Sequence, residues 1–86
     1  MRVLIPNPLR SYTAEAAVVA ARGRTLEELA MDLDRQYPGL RFRIIDEQGS
    51  IRPHIKFFVN RLQVRELAGR ISESDEVMIV CALSGG

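Results

Sequence analysis

The stretch "TLEELAMDLDRQYPG" constrains the architecture more than any other part of the chain. Leu26, Leu29, Ala30, Leu33 and Tyr37 recur at spacings of three and four, which draws one apolar stripe along a helix. Thr25 suits the N-cap, and Glu28, three residues on, is expected to reach back to the Thr25 N–H. Pro38 disfavours helix in the residue before it and Gly39 offers a left-handed exit, so the element ends there after about thirteen residues. Glu27, Asp32, Asp34 and Arg35 fall off the stripe and are expected to face water. A helix with a single apolar stripe needs one partner layer, and the rest of the chain has to supply it.

The flanking segments read as strands. "RVLI" is a short β-branched run halted by Pro6 and Pro8, which lack the N–H that a ladder needs. Within "EAAVVAA", Glu15–Ala21, composition leaves helix and strand open, but the position between "SYT" and "RGRT" favours the second strand of a hairpin. "LRFRI" alternates Leu40, Phe42 and Ile44 with Arg41 and Arg43, which predicts a strand with one wet face. A turn, "DEQGSIRP", leads to the strand "HIKFFVN", where Ile55, Phe57 and Val59 share one face and Phe58 is the odd apolar residue on the other. "RLQVRELAGRISESD" is expected to be a connection with one helical turn around Val64–Ala68, and "EVMIVCAL" is the last strand. The sum is an α+β roll: one main helix over one face of a mixed sheet of about four to five strands.

Eighty-six residues bury a single core, and the formal charge of +1, with acids and bases interspersed, gives no footprint for nucleic acid. Eleven of the twelve basic residues are arginine. A lone Cys81 excludes an internal disulfide, and the first residues are too short an apolar run for a signal peptide or a membrane span, so a cytoplasmic protein is expected.

No catalytic constellation appears. His54 is the only histidine and has no cysteine or carboxylate at ligand spacing, so no metal and no cofactor are expected. Cys81 lies in an apolar strand and reads as a small hydrophobe. The pairs Asp46/Glu47 and Asp75/Glu76 stand at turns, where carboxylates accept local backbone hydrogen bonds.

What is left is the end. "SGG", Ser84 to Gly86, follows an apolar strand directly. A terminal pair of glycines suits a flexible linker, and it also suits a thin arm that threads a narrow channel to present a carboxylate.

In order and over nearly the whole chain, "GRTLEELAMDLDRQYPGL", "DEQGSIRPHIKFFVN", "SDEVMIV" and "SGG" resemble the ubiquitin-like sulfur-carrier family, which includes the small subunit of molybdopterin synthase and the thiamine-pathway carrier. The resemblance implies a β-grasp domain over residues 1–83 and a flexible tail over 84–86. It implies that Gly86 is adenylated and converted to a thiocarboxylate, with Ser84 and Gly85 as the threading part of the tail. The protein is then a co-substrate, not an enzyme. Its implied partners are a ubiquitin-activating-type adenylating enzyme, a downstream sulfur-accepting enzyme and, where Gly86 is exposed by trimming, a tail-processing protease. The chain departs from the family pattern at Arg61, where a glycine is common, and at Cys81 and Ala82, where prolines are common. The long "YPGL…DEQGS" segment resembles the molybdopterin and cysteine-biosynthesis types more than the thiamine type, and a carrier for a sulfur-containing secondary metabolite also stays open. The competing class is a ubiquitin-like interaction or conjugation module with no sulfur-transfer role. Phe58, Met78 and Val80 are expected to form an apolar docking patch on the outer face of the sheet.

Overall fold

A computed structural model describes residues 1–82. β1 (Arg2–Leu4) is followed by a 3-10 helix (Asn7–Thr13), β2 (Val18–Ala20), α1 (Leu26–Gln36), α2 (Leu40–Ile44), β3 (Ile55–Val59), β4 (Leu62–Val64) and β5 (Glu76–Cys81). The strands form one sheet in the order β2-β1-β5-β3-β4, with β1 and β5 parallel and the other neighbours antiparallel. The C-terminal strand therefore lies at the centre of the sheet, inserted between β1 and β3.

The core is the contact between α1 and the inner face of this sheet. Leu26, Leu29, Ala30 and Leu33 of α1 are at most 1% exposed, which confirms the stripe. They meet Val3, Val19, Ile55, Phe57, Val77 and Ile79, which alternate along their strands with residues of the outer face. Thr25 caps α1 through its side-chain oxygen, which accepts from the Glu28 N–H at 3.2 Å. The return bond differs from the expected one by a residue. The Glu28 carboxylate accepts from the Arg24 N–H at 3.0 Å, while the chain before Leu26 is tied to the loop at Gly69 and to Arg70. α1 spans eleven residues, with Tyr37 as its C-cap.

Two polar residues expected to face water have structural tasks. Asp32 accepts from the Arg22 N–H at 2.9 Å and from Gln36 Nε2 at 3.0 Å, and it pairs with Arg35; its side chain is only 14% exposed. Asp34 accepts from the N–H groups of Gly39 (3.0 Å) and Arg41 (3.2 Å), so α1 itself supplies the acceptor for the free donors at the start of α2.

"LRFRI" is helical, contrary to the strand expected from its alternation. Gly39 turns the chain at φ +96°, and from there Leu40 and Ile44, four residues apart, are fully buried while Phe42 between them is 54% exposed. Arg41 then pairs with Glu27 at 2.6 Å, linking α2 to α1. The second correction concerns the connection after β3. In place of a helical turn at Val64–Ala68, Leu62–Val64 form an edge strand antiparallel to β3. Its hairpin turns on Asn60 (φ 50°) and Arg61 (φ 73°), the doubly left-handed turn that two-residue hairpins favour. Neither residue is glycine. Asn60 is held in place because its Nδ2 donates to Asp75 at 2.8 Å and its Oδ1 accepts from the Glu76 N–H at 3.0 Å. The 3-10 helix at Asn7–Thr13 was not foreseen; Pro6 and Pro8, read as a strand end, also begin it.

Candidate functional site

β5, the last described strand, runs through the middle of the sheet. Its last described bond is the Ala82 N–H to the His54 carbonyl at 2.7 Å, which keeps β5 paired to the segment leading into β3 as far as residue 82. Ser84, Gly85 and Gly86 lie outside the described residues.

The outer face of the sheet carries the three residues expected to form a docking patch. Register places Phe58 directly opposite Met78 across the β3/β5 pair, and Leu4 opposite Met78 on the β1 side. Val80 lies two residues further along β5, opposite Lys56. All four apolar residues are partly exposed, and the row extends through Val18 of β2, which is 43% exposed and pairs with Leu4. No described helix covers this face. Beyond Leu4, β1 leaves β5, and an open groove of about 570 Å³ follows, lined by Leu4, Pro6, Pro8, Arg10, Met78 and Val80 among others. Arg10 is fixed at its rim by bonds from Nε to the Ile5 carbonyl (3.0 Å) and from a terminal nitrogen to Asn7 Oδ1 (3.2 Å). A row of apolar side chains that opens into a groove beside the root of the C-terminal tail can seat a partner's apolar residues.

Reactive groups elsewhere are scarce. Cys81 is half-buried on the inner side and packs against the core. Burial pushes its thiol pKa up, and the nearby Arg43 cation only partly opposes this, so at neutral pH it stays a thiol and not the nucleophilic thiolate. His54 is exposed, and no group of three His, Cys, Asp or Glu side chains converges among the described residues. Asp46 accepts from the N–H groups of Gln48 (2.9 Å) and Ser50 (3.0 Å), and Asp75 from that of Ser72 (2.8 Å). These bonds, with the Ser50 and Ser72 amides leading, hold both carboxyls below their ordinary range, as turn residues that stay ionised.

Among the described residues no cluster of catalytic groups converges, and the last described strand is central in the sheet. Comparison with known proteins supplies the lineage: the model of the ThiS family matches residues 3–86. The chain belongs to the ThiS family. It is 35% identical over 89 aligned positions to the sulfur carrier protein CysO of Mycobacterium tuberculosis, covering 98% of this chain and 96% of that one. The crystal structure of that CysO superposes with a TM-score of 0.89 at 33% identity, over 95% of this chain and 98% of that chain. The Amycolatopsis orientalis BexX/CysO complex gives a TM-score of 0.91 at 30% identity, over 99% and 98% of the two chains. Small archaeal modifier protein 1 of Methanosarcina acetivorans matches at 0.81 with 23% identity, over 99% and 94%, which shows the fold alone. The β-grasp fold and the sulfur-carrier family inferred from the sequence are thereby borne out. The protein is a co-substrate that carries sulfur, not a catalyst.

The sequence missed one cluster beside the tail's root. Phe42 of α2 lies under the guanidinium of Arg52, whose carbon is 4.5 Å from the ring centroid, and Arg43 and His54 border the same shallow pocket. With "LRFRI" read as a strand, Phe42 belonged to the core face. The three basic side chains were visible, but nothing in their spacing placed them together.

Proposed function

We propose that the Gly86 carboxylate is the sulfur-bearing group of this protein. The observation that carries the reading is a family match that runs through the final glycines, residues 3–86, on a chain whose last described strand, β5, is central in the sheet. A carboxylate is a poor acyl donor because its oxygen is a poor leaving group. Attack of the carboxylate on the α-phosphorus of ATP forms an acyl adenylate and releases pyrophosphate. Hydrosulfide then adds to the acyl carbon, the carbon–oxygen bond to the phosphate breaks so that AMP departs with that oxygen, and loss of the thiol proton leaves a thiocarboxylate. The adenylation requires a ubiquitin-activating-type enzyme, and the thiocarboxylate requires an acceptor enzyme; a processing protease is needed only where residues follow Gly86. Ser84 and Gly85 form the thin part of the arm, because glycine adds no side chain to a tail that threads a channel.

Docking uses the Phe58, Met78 and Val80 row, whose partly exposed apolar side chains no described helix covers. No helix of the described residues is long and apolar enough to cross a membrane, and we place the reaction in the cytoplasm. Of the acceptor classes left open by the sequence, the CysO relatives favour the cysteine-biosynthesis type.

Incubation with the adenylating enzyme, ATP and sulfide, read by intact mass, tests the proposal. The expected mass increase is the difference between one sulfur and one oxygen, mapped to residue 86 by alkylation and digestion. Deletion of Gly86 should abolish the increase while the circular-dichroism spectrum stays unchanged. Sulfur found on Cys81 as a persulfide, or modification of the truncated chain at the wild-type rate, overturns it.

A further inference from the structure

We infer that the patch formed by the Arg43 and Arg52 cations, with His54, around the Phe42 ring beside residue 82 is a second docking surface that receives exposed carboxylates of a protein partner. Three observations carry this.

The first is preorganisation. Arg52 donates from Nε to the Phe42 carbonyl at 2.7 Å and lays its guanidinium over the Phe42 ring, so its two terminal nitrogens are presented as a fork without further loss of side-chain freedom. The second is unmatched charge. Among the described residues, Arg2, Arg35 and Arg41 have carboxylate partners, whereas neither Arg43 nor Arg52 has one within 4.0 Å. Asp46, whose carboxyl feels the Arg52 cation, spends its oxygen on the Gln48 and Ser50 amides and forms no ion pair with that arginine. Arg43 makes no side-chain hydrogen bond to the described residues, and the pocket's lining is Phe42, Arg43, Arg52 and His54, with no acid. The third is place. His54 accepts from the Ala82 N–H through its carbonyl, and Arg43 is near enough to Cys81 to affect its thiol, so the patch adjoins residues 81 and 82, the last described.

The exposed aromatic ring beside arginine is the composition of a protein interface, where such residues concentrate, and a net charge of +1 with acids spread over the chain argues against nucleic acid. The patch adjoins the end of β5 from the His54 side, whereas the groove lined by Leu4 and Pro6 adjoins it from the β1 side. The partner thus grips the carrier at two places, an apolar one on the outer face and an ionic one beside the tail. This inference rests on the reading that the tail enters a partner's site, but its test does not.

The probe is a short peptide of alternating glutamate and leucine, titrated into the full chain and followed by amide chemical shifts, with its glutamine counterpart and a short DNA duplex as comparisons. The glutamate peptide should give saturable, salt-sensitive shifts at residues 42, 43, 52 and 54, and the glutamine peptide none. Arg43→Glu should weaken binding by about tenfold, while Arg22→Glu at the β2 end of the sheet should not change it. Arg52→Glu should do the same, and the Arg43 variant covers the case in which losing the bond to Phe42 perturbs α2. Shifts that are absent, that map elsewhere or that ignore Arg43→Glu overturn the inference, as does tighter binding of the duplex at these residues. Because the titration makes no use of Gly86, loss of the thiocarboxylate reaction and loss of this surface are separate results.

Discussion

Phe57 and Phe58 are adjacent in β3 and identical in chemistry, yet one is 1% exposed beneath α1 and the other is partly exposed on the side that no described helix covers. The same contrast holds along the central strand, where Val77 and Ile79 are buried and Met78 and Val80 are not. Hydrophobicity alone therefore assigns no role in this sheet. The face that meets the helix holds the fold together, and the other face, with equally apolar side chains in the same strands, is left free to meet another protein. If the outer face is the docking surface proposed above, recognition is kept separate from stability in this way.

The strongest way to break this comparison is to truncate the two phenylalanines in turn. Phe57→Ala should cost about 3–5 kcal/mol by leaving a cavity under α1, and Leu29→Ala, at the middle of the helix stripe, roughly 2–5 kcal/mol. Urea denaturation of both variants against wild type provides the measurement. Losses below about 1 kcal/mol would mean that the two faces share the load.

Smaller effects come from polar residues that tie the helix layer to its surroundings. Asp32→Ala removes the acceptor of the Arg22 N–H and should cost about 1 kcal/mol, more than an exposed carboxylate would. The Arg22 amide bond, then Arg35, hold the Asp32 carboxyl below its ordinary range, and Asp46 and Asp75 are depressed by their turn amides. A depressed carboxyl adds stability above its unfolded pKa and loses it as pH falls through the folded one. Thermal midpoints should therefore be flat from neutrality down to about pH 4 and drop below it, with the drop reduced in Asp32→Ala. A midpoint that rises on acidification would contradict the assignment.

The hairpin at Asn60 and Arg61 belongs to neither face and gives a change of opposite sign. Arg61 is held at φ 73°, a conformation that costs a side-chain-bearing residue about 1 kcal/mol relative to glycine, so Arg61→Gly should raise stability by up to that amount. Adenylation and sulfur loading should not change. A destabilised Arg61→Gly variant would mean that the arginine side chain is itself bound.

These cases also explain which parts of the architecture were legible in the sequence. α1 was, because its stripe repeats over three turns and both ends carry their own signals in Thr25 and Pro38–Gly39. α2 was not: in five residues, apolar positions 40, 42 and 44 satisfy a period of two, while 40 and 44 alone satisfy a helical turn. The tertiary contacts decide, with Gly39 starting a new turn and Asp34 capping it from the neighbouring helix. β4 was hidden for a different reason. As an edge strand with Leu62 73% exposed it has no buried face to pattern, and its turn has arginine where glycine would have announced it. The tail's role was carried by family resemblance alone, since glycines specify reach and not chemistry.

A small change in stability accompanies the sharpest test of the comparison. Phe58→Ser removes a partly exposed apolar side chain from the outer face, which no described helix covers, so the loss in a urea titration should be about 1 kcal/mol or less, well below that of Phe57→Ala. If the row with Met78 and Val80 is where the adenylating enzyme docks, the KM for the carrier should rise while kcat stays near wild type, since the Gly86 carboxylate and its route to the nucleotide are untouched. Met78→Ser, directly opposite across the pair, should act on the same contact, and the double variant should lose less than the sum of the two. A large fall in the midpoint would assign Phe58 to the core with Phe57, and unchanged kinetics with an unchanged midpoint would leave the outer face without a role in activation.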